Sequence, residues 1–199
     1  MMTRDRIFII AIAAQSILLI LTAPLYGQVR PSKVMVSQRI ASAALEEYQV
    51  KAGYVCNFAR FVEWPEEAFA GPNDQFIIAV LGSEPLTQYL DDMVRNLTVN
   101  ERNIIIKHFV TVDDLDRCHI LFVSESKRKF FSDILSIIKG KPVLTVSDMK
   151  EFTSRGGIIN FVKVKNDISF EINAAAAEKA RLKFSSKLLK LANGMGGAR

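Results

Sequence analysis

Val50–Pro65, VKAGYVCNFARFVEWP, is the stretch whose reading decides the fold, because no other segment outside the apolar N-terminus is so strongly periodic. At 3.6 residues per turn, Tyr54, Val55, Phe58, Phe61 and Val62 share one face with Val50 a turn upstream, while Cys56, Arg60 and Glu63 point away. Burying such side chains is worth about 1.5 to 3 kcal/mol each, so the stretch is expected to be a core helix. A residue before proline is driven out of the helical region, so the helix is expected to stop near Glu63 and leave Trp64, the chain's only tryptophan, at a Trp-Pro corner. A tryptophan there is either a core cap or an anchor for a partner protein.

Upstream, the same helix is expected to start near Ala43 or Ala44, after a lead-in over residues 28–42. The front of the chain reads as an export signal over residues 1–27: Arg4 and Arg6 precede an apolar run from Ile7 to Leu21, and Gly27 offers a small residue for cleavage. The alternative, a retained anchor, is disfavoured because that run is short for a span of about 20 residues.

Downstream, strand-length apolar runs alternate with helical patterns. QFIIAVL at 75–81, residues 103–110, CHILFV at 118–123 and residues 143–146 read as strands. Pro85 opens a helix to about Val94 with Ser83 ahead of it as a cap, and residues 125–139 form another with Phe130, Ile134, Ile137 and Ile138 on its apolar side. Residues 158–164 and 168–172 flank a tight turn and read as a hairpin, followed by an alanine-rich helix from Asn173 and a last one from Lys187. The expected architecture is a single α/β domain over residues 43–192, a mostly parallel central sheet flanked by helices with the antiparallel hairpin at one edge, and a fraying tail at 193–199.

The chain carries a formal charge of +5, but its basic residues are interleaved with acidic ones and export removes it from nucleic acid, which is therefore not an expected partner. Its two cysteines, Cys56 and Cys118, match no metal, haem or dithiol spacing. In an oxidising compartment one bridge and two buried free thiols are equally open. The strand ends after Leu81, Val123 and Val146 hold neither a glycine-rich phosphate loop nor a nucleophile elbow. Ser83, Ser124 and Ser147 there read as helix caps before they read as anion sites. His108 and His119 with Asp113, Asp114 and Asp116 have no spacing that enforces a metal site, and catalysis is not expected.

Taken in their joint order, VKAGYVCNFARFVEWP at 50–65, FIIAVLG at 76–82, DLDRCHILFVSES at 114–126, KPVLTVSD at 141–148, GGIINFV at 156–162 and FEINAAAAEKARLKFSSKLLKLA at 170–192 resemble the YfiR family of exported bacterial proteins. The resemblance implies a periplasmic α/β domain without enzymatic activity or cofactor. It also implies a homodimer and a repressor that binds the periplasmic sensor domain of an inner-membrane diguanylate cyclase, lowering cyclic di-GMP and biofilm formation. Relatives commonly carry a cysteine where Cys118 stands, and disulfides stabilise some of them. On this reading the partner contacts fall on Phe61, Trp64, Pro65 and the loop to Phe69. A periplasmic small-molecule binding module, using the strand ends near Gly82, Ser124 and Ser147, is the competing expectation.

Overall fold

The computed structural model describes residues 33–83, 85–165 and 167–195. The expected export signal at 1–27 lies outside them. The chain divides into two units, residues 1–40 and 41–199, and both sheets belong to the second. Among the described residues no helix is long and apolar enough to cross a membrane.

The larger sheet has seven strands: β2 (Phe76–Leu81), β3 (Thr98–Val99), β4 (Arg102–Phe109), β5 (Ile120–Val123), β6 (Leu144–Ser147), β7 (Ile159–Val164) and β8 (Asp167–Ile172), in the spatial order β3-β4-β2-β5-β6-β7-β8. Neighbours from β4 through β7 are parallel, and antiparallel strands close both edges: the short β3 beside β4 and the expected hairpin partner β8 beside β7. A separate two-stranded ribbon pairs β1 (Val62–Glu63) with β9 (Lys183–Phe184). None of the short strands β1, β3 and β9 was legible in the sequence, since two residues cannot display a period.

Successive residues of a strand face opposite layers, and the apolar runs fill both. One face carries Phe76, Ile78 and Val80 of β2 with Ile120 and Phe122 of β5, and is covered by residues from Tyr48 onward of α1 (Lys33–Phe61), by α2 (Leu86–Val94) and by residues of α4 (Ala174–Lys179) and α5 (Ser186–Met195). The other carries Ile77, Ala79, Leu81, Leu121 and Val123 under α3 (Phe131–Ile138) and the Met149–Phe152 turn. Strands buried on both sides explain why these runs are continuous and do not alternate with polar residues.

Several expectations are corrected in detail. Helix α1 is already formed at Lys33, ahead of Ala43; residues 33–42 hold neither glycine nor proline to interrupt it. Its buried apolar stripe is Ala52, Val55, Cys56, Phe58 and Ala59, continued by Val62 of β1: the small side chains at 52, 56 and 59 let the helix approach the sheet, so Cys56 turns inward and Val50 is left 46% exposed. No side chain caps α2, where Ser83 was expected to. Residues 125–139 are not one α-helix. A 3-10 segment, Glu125–Phe130, precedes α3, and this tighter winding exchanges the neighbours, so that Phe131 is buried while Phe130 is 47% exposed. Helix α5 runs to Met195, into the stretch expected to fray.

Candidate functional site

The Trp-Pro corner is built from the end of α1. The indole N–H of Trp64 donates to the carbonyl of Ala59 at 3.3 Å, satisfying one of the acceptors that a helix terminus leaves without an intrahelical partner. Pro65 then leads into a 3-10 turn, Glu66–Ala68, closed by Ala68 N–H to Pro65 O at 2.9 Å and Phe69 N–H to Glu66 O at 3.0 Å. Phe61, Trp64, Pro65 and Phe69 are half-buried, whereas Glu63, Glu66 and Glu67 are exposed.

Behind this turn stands His119, the second residue of the CHILFV run, buried to 1% exposure. Its Nδ1 accepts from the backbone N–H of Ile77 at 2.9 Å, so its proton is on Nε2, which donates to the carbonyl of Ala68 at 3.0 Å. Both ring nitrogens are thereby committed. Burial chiefly lowers its pKa to about 4, against the opposing bond that it donates to the Ala68 carbonyl, and the ring is neutral at ordinary pH. Phe69 and Phe76 stack on its two faces, each with ring centres 4.7 Å away, and Trp64 meets Phe76 edge-on at 5.1 Å.

Two arginines complete the brace. The guanidinium of Arg102 lies 4.1 Å from the centre of the Phe69 ring and donates to the carbonyls of Gly71, Pro72 and Asp74. Arg117 pairs with both carboxylate oxygens of Asp74, and that carboxylate accepts the N–H groups of Ala70 and Gln75. These bonds hold the Asp74 carboxyl below its ordinary range, the Ala70 bond contributing most. The loop from Pro65 to Asp74 is therefore fixed in one shape by groups on β2, on β4 and in the segment that leads into β5.

The structure thus brings Trp64 and Phe69 together through His119, with Pro65 between them in the chain. Phe61 stands apart at the end of α1, under the ammonium of Lys187 at 4.9 Å. What sequence reasoning missed is the brace itself: His119 and Ala68 are 51 residues apart and Arg117 and Asp74 are 43 apart, separations that leave no local pattern. A polar ring inside an apolar strand run was the one available signal.

Cys56 and Cys118 are both free thiols, packed in different apolar layers of the sheet. Of the two alternatives open in the sequence, the structure holds the unbridged one. Burial pushes Cys56 up to about 11 and Cys118 up to about 12, so neither is a thiolate at neutral pH. His108 lies near the C-terminal end of β4 and His119 before the start of β5, at opposite ends of the sheet. Among the described residues no group of three His, Cys, Asp or Glu side chains could hold a metal ion.

Open parallel sheets hold ligands outside the C-terminal ends of their strands, where the strand order reverses. Here that point lies between β2 and β5 and is filled. Gly82 adopts φ +105°, and a Cβ on it would lie 2.7 Å from Ser126 Oγ and 2.8 Å from Ser124 Cβ. Ser124 Oγ accepts the N–H of Ser126 as a cap, and Ser147 Oγ likewise accepts the N–H of Met149.

The family model described as YfiR/HmsC-like matches residues 48–193. No curated protein matches the chain.

Proposed function

The chain belongs to the YfiR/HmsC-like family, and we propose that it is an exported, non-enzymatic periplasmic regulator that binds the periplasmic sensor domain of an inner-membrane diguanylate cyclase. In this reading it represses the cyclase, lowers cyclic di-GMP and biofilm formation, and works as a homodimer. Export is by the leader at residues 1–27, which is then removed.

One observation carries the choice of contact surface: the Trp64–Phe69 corner is braced from behind by His119 and Arg102. A surface already held in one shape loses little freedom on association, which favours affinity. Trp64, Pro65 and Phe69 supply half-buried apolar area there, Phe61 adds a separate half-buried ring at the end of α1, and Glu63, Glu66 and Glu67 supply a charged margin. Docking represses by population shift. The regulator binds the inactive conformation of the sensor more tightly than the active one, and its release lets the active one return.

The test of the function is cellular cyclic di-GMP in the source bacterium with the gene deleted, then complemented with forms that carry or lack the leader. A rise on deletion, reversed only by the exported form, is the expected result; no change under several growth conditions removes the proposal. For the surface, Trp64→Ala is a poor probe because the indole also packs on Phe76. Glu66→Lys changes an exposed charge only, and is expected to weaken partner binding without moving the melting temperature.

A further inference from the structure

Away from the corner, at the N-terminal ends of β6 and β7, a cavity of about 220 Å³ opens between the end of α3, the turn that follows it and α4. Its floor is apolar: Ile138, Val143 and Ile158 are buried there, and the α4 segment faces it with the short side chains of Ala175, Ala176 and, at its C-cap, Ala180. The alanine run, which in the sequence signified nothing beyond helix propensity, is what leaves the space.

Three lysines, Lys139, Lys141 and Lys179, also line it. No acidic residue does, and among the described residues none of the three makes an ion pair. The contrast is with Arg181 beside them, whose guanidinium is taken up by the Gly140 carbonyl at 3.0 Å and the Glu67 carboxylate at 3.0 Å. The placing of Lys139 and Lys141 is a property of the backbone. Gly140 between them has φ +73°, and the turn is closed by Lys141 N–H to Ile138 O and Val143 N–H to Lys141 O, each at 2.9 Å.

Three exposed lysines on the lining of one apolar hollow, with no acidic residue among them, make its mouth electropositive, and the low-dielectric walls focus that field. An anion answers that field; an apolar body removes the floor from water. A dry cavity of about 150 Å³ takes a benzene ring, so the space suits a ring or a short chain bearing one carboxylate. We propose that this cavity binds a small organic anion, its apolar body against the alanines of α4 and its carboxylate among Lys139, Lys141 and Lys179. The inference does not rest on the cyclase reading and concerns the end of the sheet opposite to the one where ligands were expected.

The test is titration of the isotopically labelled protein with benzoate and with octanoate, following the backbone amides of residues 138–145 and 175–181. Benzyl alcohol supplies an apolar body without charge, and sulfate supplies charge without a body. Saturable shifts at those amides are expected for at least one of the two carboxylates, with benzyl alcohol and sulfate weaker by about tenfold or more. Lys141→Glu combined with Lys179→Glu, both at exposed positions, is expected to weaken carboxylate binding by about tenfold at unchanged circular dichroism. Ala175→Leu is expected to abolish it by filling the hollow. No saturable shift with either carboxylate overturns the proposal. So does sulfate binding as tightly as the carboxylates, or a site indifferent to both sets of substitutions.

Discussion

The ammonium of Lys51 on α1 lies 2.7 Å from Asp148 Oδ2, beyond the end of β6 and 97 residues further along the chain. Glu47, one turn earlier on α1, holds the same ammonium at 2.7 Å, and Lys51 is buried to 2% exposure. Burial disfavours the charged form, but the bonds to Asp148 and Glu47 outweigh it and raise the lysine's pKa. The triad ties the leading helix to the far half of the sheet. Lys51→Met removes the charge at similar volume and takes from Asp148 and Glu47 their shared ammonium, leaving Glu47 only Lys163 at 3.6 Å, so it is expected to cost about 1 to 3 kcal/mol in urea unfolding. Adding Glu47→Gln and Asp148→Asn is expected to recover most of that loss, since a buried ionic cluster replaced as a whole is seldom missed. A Lys51→Met protein as stable as the parent shows that the triad is no tether.

His119 gives the corner a pH dependence of defined sign. Its folded pKa of about 4 is below the ordinary 6.5, so the unfolded chain binds the proton more readily. The stability of the neutral, doubly hydrogen-bonded ring is complete above about pH 6.5 and is lost as pH falls through the interval down to about pH 4. Trp64, the only tryptophan, sits against Phe76 and His119 and reports the event by its fluorescence. His119→Gln is expected to destabilise at pH 8 by about 1 to 3 kcal/mol, through the Ile77 and Ala68 groups it pairs less well. It is also expected to flatten the slope of stability between pH 6.5 and 4. An unchanged slope in the variant assigns the acid sensitivity to other groups, such as Glu47 and Asp74, whose lowered pKa values place their losses in the carboxylate range.

How far the sequence was legible follows the range of the interaction that decides each feature. The strands β2 and β5 were visible because burial on both faces writes a continuous apolar run into neighbouring residues. The Trp-Pro corner was visible because Pro65 acts on the residue beside it. Cys56 was placed on the wrong face because the large side chains of α1, Tyr54 and Phe61, straddle the contact line while the small ones occupy it. Phe130 was misplaced because a 3-10 entry shifts the phase of everything before α3, and nothing local marks that change. The brace around His119, the lysine-lined cavity and the Lys51 triad were beyond reach because each depends on strand order, which joins residues remote in sequence.

The thiols give a prediction that separates the two readings of the cysteines by counting. With Cys56 and Cys118 in different layers, the native protein purified without reductant is expected to show no thiol reacting with Ellman's reagent at pH 8 and two after denaturation. Burial raises both pKa values, to about 11 and about 12, so the folded state prefers the neutral thiols. Their contribution to stability is therefore complete below about pH 8.5 and declines as pH rises beyond it. Zero thiols after denaturation, restored by reductant, indicates a bridge and a different packing of α1 or of the start of β5.

Gly156 and Gly157 are adjacent but are glycines for different reasons, and the difference is measurable. Gly156 has φ +105°, a conformation that L side chains rarely adopt. Gly157 has no such requirement, but a Cβ on it would lie 2.2 Å from Phe152 Cε1, and that ring is buried with its centre 4.6 Å from Phe131. Gly157→Ala therefore fails through a contact and Gly156→Ala through the backbone. In a Phe152→Ala background, itself expected to cost about 3 to 5 kcal/mol, the obstacle to Gly157→Ala is gone while that to Gly156→Ala persists. The double-mutant cycle is expected to give a coupling of about 1 to 3 kcal/mol between positions 157 and 152 and much less between 156 and 152. Should the fully buried ring prove too costly to remove, Phe152→Leu tests the same coupling at smaller loss. Equal coupling at both glycines refutes the assignment of Gly157 to the Phe152 contact.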